Sequence, residues 1–86
     1  MKITKTIVAG KIAAYLRHEI TLAQLVDWSE IILMDGEFDE PDIAALSRVI
    51  SRLGVADVRT FGLTWEDCEE LLNQLGFIPR VEVVAA

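Results

Sequence analysis

The chain has 86 residues, 52% of them apolar, and its eight bases against fourteen acids leave a net charge of -6. That length holds one domain and one core, and the apolar share is enough to build it, which weighs against disorder. The acidic balance repels polyphosphate, so nucleic acid is not the expected partner and a basic protein is.

The opening run through Gly10 imitates a secretory leader, but Lys11 interrupts it and the pattern continues as an amphipathic helix. No stretch approaches the roughly 18 to 20 uncharged apolar residues that span a bilayer, so no membrane association is expected. Cys68 is the only cysteine, which rules out an internal disulfide and suits a reducing compartment. Together these features describe a cytoplasmic protein.

Taken in chain order, Val8, Ile12, Tyr15 and Leu16 recur at helical spacing and predict a first helix over residues 6–18. Thr21 with Gln24 three positions on has the spacing of a capping box and opens a second helix over 21–35. Leu22, Leu25, Val26, Trp28, Ile32 and Leu33 form its core stripe, and Gly36 is placed to end it in the left-handed conformation. Pro41 suits the first turn of a third helix over 40–53, capped by Asp39 or Glu40 and closed at Gly54. Its apolar face is Ile43, Leu46, Val49, Ile50 and Leu53.

Residues 55–63 are ambiguous between a turn and a short strand, with a turn preferred. Thr64 and Asp67 then repeat the capping-box spacing, acids fill the first turn, and Cys68, Leu71, Leu72 and Leu75 line one face of a fourth helix over 64–75. The β-branched alternation after Gly76 predicts a strand over 78–84, with Pro79 confining it to an edge or a strand start. The expected fold is therefore mainly α: a compact four-helix bundle with a short C-terminal β-strand. That strand needs a partner, which residues 55–63, the N-terminal Lys2 to Thr4 stretch, or a second copy would supply.

The charges fall in blocks, with Lys2, Lys5, Lys11 and Arg17 first and then an acidic run that ends in the connection Asp35-Gly-Glu-Phe-Asp-Glu-Pro-Asp42. A calcium loop would need oxygen ligands at alternate positions, a central glycine and a closing glutamate, and here Gly36 comes second and Pro41 starts a helix. Metal is therefore not expected. His18 suits the end of the first helix, where a partly positive imidazole complements the dipole, and Cys68 suits an apolar face, so neither predicts catalysis. The acids at 66, 67, 69 and 70 have a local role at a helix N-terminus. Arg48, Arg52, Arg59 and Arg80 are expected to pair with acids within the fold or across a dimer, and Trp28 and Trp65 to pack at the core or its rim.

Ile31 and Met34 fall outside the main stripe of the second helix, beside Asp35, Glu37, Phe38, Asp39 and Glu40. An apolar centre rimmed by charge is the usual anatomy of a protein interface, and these seven residues are the predicted partner-binding surface. For Phe38 taken alone, a plug at the end of the bundle is preferred to an exposed anchor for a partner. No catalytic, cofactor-binding or metal residues are predicted. The expected function is a non-enzymatic module that binds a basic protein, and the alternative is a homodimer assembled through the C-terminal strand.

The run Tyr15-Leu-Arg-His-Glu-Ile-Thr-Leu-Ala-Gln-Leu-Val-Asp-Trp28, with Gly62-Leu-Thr-Trp-Glu-Asp-Cys68, resembles small bacterial proteins of unknown function. Ile20-Thr21 opening an aromatic-bearing second helix is similar to colicin-type immunity proteins, small acidic helical proteins that neutralise basic nucleases. The resemblance implies a toxin nuclease as the basic partner. The junction Leu71-Leu-Asn-Gln-Leu-Gly-Phe77 is similar to one in small RNA-cleaving toxins, but their Gly-Ser-His catalytic signature is missing.

Overall fold

Thr4 sits in extended backbone and its hydroxyl accepts from the Ile7 amide, which starts the first helix, α1 (Lys5–Leu16), one residue earlier than its periodicity implies. In this computed structural model, which describes residues 2–57 and 62–85, three further helices follow: α2 (Leu22–Asp35), α3 (Ile43–Gly54) and α4 (Trp65–Gln74). Both expected capping boxes are present. Thr21 and Gln24 exchange side-chain and backbone bonds at 2.8 and 3.1 Å, and Thr64 and Asp67 do so at 3.0 and 3.1 Å. Each pair satisfies two amides that an open helix end would leave without partners.

The helix ends correct the expectations in three places. α1 stops at Leu16 because His18 takes φ 62, and the amides of His18 and Glu19 close back on the carbonyls of Tyr15 and Ala14. This is a Schellman closure with a histidine in the left-handed position, so His18 lies beyond the helix. The same closure ends α4, where Gly76 has φ 90 and Phe77 donates to Leu72. Gly36, by contrast, is extended at φ -75 and ψ 147. Its lack of a side chain serves space: a Cβ there would lie 2.5 Å from the Ile32 carbonyl oxygen.

The third correction concerns the connection after Gly36. Glu37–Phe38 form a two-residue strand, β2, which pairs in parallel with Lys2–Ile3, β1, in the register Lys2 with Glu37 and Ile3 with Phe38. Asp39 extends the ladder by donating to the Ile3 carbonyl at 3.0 Å. Pro41 then sits in a single 3₁₀ turn, Glu40–Asp42, rather than inside α3, and neither Asp39 nor Asp42 makes a side-chain cap. The N-terminal stretch thus pairs with this connection, and residues 78–84 do not form the expected strand. Alternation alone cannot make a ladder: the β-branched residues are there, but among the described residues no strand pairs with them. Of the ambiguous segment, 55–57 is a turn and 58–61 lies outside the described residues.

The four helices pack into one bundle, with the broadest contact between α2 and α3 and with α1 touching the other three. Its core joins Val8 and Ile12 of α1, Leu25 of α2, Leu46, Val49, Ile50 and Leu53 of α3, and Cys68, Leu71 and Leu72 of α4, closed by Ile3 and Leu75. Each such side chain contributes about 1.5 to 3 kcal/mol by leaving water. Ser29 is also fully buried, its hydroxyl donating to the Leu25 carbonyl at 2.9 Å. Leu33, expected in the stripe of α2, is 45% exposed because it lies at the margin of the α3 contact, where its methyl reaches Gly54.

Candidate functional site

Periodicity places Asp27, Glu30, Ile31 and Met34 one above another on α2, and all four are exposed. Ile31 is 58% and Met34 83% accessible, so the two residues that fell outside the core stripe do lie at the surface. The helix leads directly into the acidic connection. There Asp35, Glu37 and Glu40 are exposed, and among the described residues none of them forms an ion pair. Phe38 departs from this set. It is half-buried and packs against the core cluster.

Two of the early bases answer the acidic connection across the β1–β2 pairing. The Lys2 ammonium lies 3.9 Å from the Asp39 carboxylate and Lys5 lies 3.6 Å from that of Asp42. Asp39 therefore has a structural partner, unlike its neighbours Glu37 and Glu40. Lys11 instead stands over the Trp28 ring at 5.5 Å from its centre, a cation–π contact that keeps one face of the half-buried indole covered. A groove of about 320 Å³ runs beside these two residues, lined also by Ile3, Ile7, Ile31 and Asp35. One wall of the exposed Ile31 patch is thus apolar and concave.

The groups weighed for chemistry lie in different environments. Cys68 is fully buried, and burial, with the Asp67 charge adding to it, pushes its thiol up to about 11. His18 is exposed at the far side of the α1 closure, where Arg17 and Glu19 on either side of it form an ion pair at 2.8 Å. That contact holds the Glu19 carboxyl below its usual range. Among the described residues no three of His, Cys, Asp and Glu gather as a metal site would require. None of their helices is long and apolar enough to cross a membrane.

No family model matches this chain, and neither a curated protein nor a solved structure does.

Two surface features have no counterpart in the expected site. Between α3 and α4 a cleft of about 570 Å³ carries Arg48, Arg52, Asp67 and Glu70. Arg52 spans it, 3.5 Å from the Asp67 carboxylate and 3.0 Å from the Gly62 carbonyl, so this arginine does pair within the fold. Arg59 lies outside the described residues. A second groove, about 630 Å³, separates the C-terminal tail from α1 and α4, with Ala9, Gly10, Ala13 and Trp65 among its walls. The signal for it was present: Thr6, Ala9, Gly10 and Ala13 repeat at helical spacing and are too small to complete a core face.

Among the described residues, the tail carries the longest run of exposed large apolar side chains. Ile78 is 85%, Val81 71%, Val83 96% and Val84 78% accessible. These apolar side chains alternate with Pro79, Arg80 and Glu82 along the tail.

Proposed function

We propose that the chain is a non-enzymatic protein-binding module that captures a basic protein, with the outer face of α2 and the acidic connection as its contact surface. The observation that carries this reading is the exposure of Ile31 and Met34 beside Asp35, Glu37 and Glu40, which form no ion pair among the described residues. Asp35, Glu37 and Glu40 steer a cationic partner into contact, and Ile31 and Met34 give the complex its lifetime by leaving water. Asp39 and Phe38 belong to the same surface but act mainly by holding its shape, through Lys2 and through the core. The net charge of -6 favours a cationic partner, and a toxin nuclease is the basic protein that the resemblance of the Ile20-Thr21 region to immunity proteins implies.

The test is capture from extracts of the native host by the wild-type protein and by a variant reversed at Asp35, Glu37 and Glu40. The proposal requires a basic protein that the wild type retains and the variant loses, with the difference largest at low salt. Equal capture by both proteins contradicts it.

A second reading is favoured by a separate observation, a tail that forms no strand pairing among the described residues. Its exposed β-branched residues suit a homodimer assembled through residues 78–84. The two readings use different surfaces and are compatible.

A further inference from the structure

We infer that residues 78–84 pair with the same segment of a second copy as an antiparallel ribbon centred on Val81; this rests on the homodimer reading and specifies its register. The tail is self-complementary about that residue. With Val81 opposite Val81, Arg80 faces Glu82 of the other chain and Glu82 faces its Arg80, so the two-fold axis makes two opposite-charge pairs. Ile78 faces Val84 at both ends and Pro79 faces Val83.

Neighbouring registers lose this match. Centring the ribbon on Arg80 sets arginine against arginine, and centring it on Glu82 sets glutamate against glutamate. A slip to a centre between Val81 and Glu82 sets both charged residues against valines. Like charges directly opposite one another destabilise a strand pair, and buried valine leaves a charge unanswered.

Pro79 selects between the two ways of bonding this register. Antiparallel pairs alternate between those that exchange backbone bonds and those that do not. If Val81 occupies a non-bonded pair, so do Pro79 and Val83, and the ladder runs through Ile78, Arg80, Glu82 and Val84. The missing amide of Pro79 then costs nothing, because that position has no donor to supply. A two-stranded ribbon alone is marginal in water, and the groove supplies what it lacks. Gly10 has nothing within 4 Å of where a Cβ would stand, so the wall of α1 admits a second strand close to its backbone.

The experiment uses the full chain at micromolar concentration, with sedimentation to read assembly and mild oxidation of Val81→Cys and Val83→Cys to read register. Cys68 stays out of the reaction because it is fully buried. Non-bonded antiparallel partners have Cα atoms about 4.5 Å apart, within disulfide reach, so Val81→Cys is expected to link into a covalent dimer well ahead of Val83→Cys. Arg80→Glu and Glu82→Arg are each expected to weaken the dimer about tenfold, and combining them to restore it to within about threefold. A dimer that links equally through position 83, or that the double exchange fails to restore, overturns the register and leaves the homodimer reading standing. A wild-type protein that sediments as a monomer overturns both.

Discussion

Replacing Gly36 with alanine tests the geometry that aims the acidic connection. An added Cβ would stand 2.5 Å from the Ile32 carbonyl oxygen and 2.8 Å from its Cγ2. Both are well inside van der Waals contact, and the nearer one is backbone held in the last turn of α2, so the chain into Glu37 must move. Overpacking of this kind costs about 1 to 3 kcal/mol, offset by about 0.4 to 1 kcal/mol because alanine has less freedom to lose on folding. The net expectation is a loss of about 1 to 2 kcal/mol. Two other glycines provide the comparison. Gly10 lies inside α1 with nothing within 4 Å, and Gly54 ends α3 with its nearest neighbour, a Leu33 methyl, at an ordinary 3.6 Å. Alanine at either should stabilise by about 0.5 to 1 kcal/mol. In a domain this small each kcal/mol moves Tm by about 4 to 8 °C, so urea and thermal melts of the three variants separate easily. If Gly36→Ala proves as stable as Gly10→Ala, the account of the α2 to β2 junction is wrong.

His18→Gly should stabilise the protein by about 0.5 to 1 kcal/mol, since the left-handed position costs a histidine about 1 to 2 kcal/mol and glycine returns part of that as lost chain entropy; an unchanged melt would contradict the closure seen at the end of α1. Thr64→Ala should cost about 1 kcal/mol in the same assay by removing the hydroxyl that accepts from the Asp67 amide. Asp67 adds a pH dependence. Its carboxyl is held below the ordinary 3.8, first by the Thr64 amide, then by the Thr64 hydroxyl and the Arg52 charge, against some desolvation. Its folded pKa is depressed, so its contribution is complete above that ordinary value and is lost as pH falls through the folded one; the gap in stability between wild type and Asp67→Ala should narrow in acid. Cys68 should react with a thiol reagent at mildly alkaline pH only as fast as the protein unfolds, because the thiol is buried and pushed up to about 11; a fast, denaturant-independent rate would contradict the core.

What the sequence reveals here depends on how local the physics is. The capping boxes at Thr21 and Thr64 were legible because cap and partner lie three residues apart and need nothing else from the fold. The four helices and most of the core followed from periodicity for the same reason. The β1–β2 pairing was not legible: two residues at the N-terminus meet two beyond α2, and neither pair carries a signal of its own. Gly36 shows a different limit, since a glycine after a helix fits a left-handed stop and a steric gap equally well, and only the position of Ile32 decides. Residues 78–84 have the alternation of a strand, but a strand is a property of two segments, and among the described residues none pairs with that tail. At the candidate site, Ile31 and Met34 were legible as residues that the core stripe of α2 left over. Phe38, whose plug role the sequence already favours, is half-buried on the strand pairing that carries it.

The measurement that bears most directly on the proposed function is partner capture from host extracts by wild type and by the double variant Ile31→Ser, Met34→Ser, at about 50 and about 300 mM salt. Both side chains are exposed, so the variant should fold as the wild type does, which its melt will show. The wild type is expected to retain a basic protein more strongly at the lower salt, and the variant to lose it at both. The same basic protein held equally by wild type and variant would contradict the proposed function.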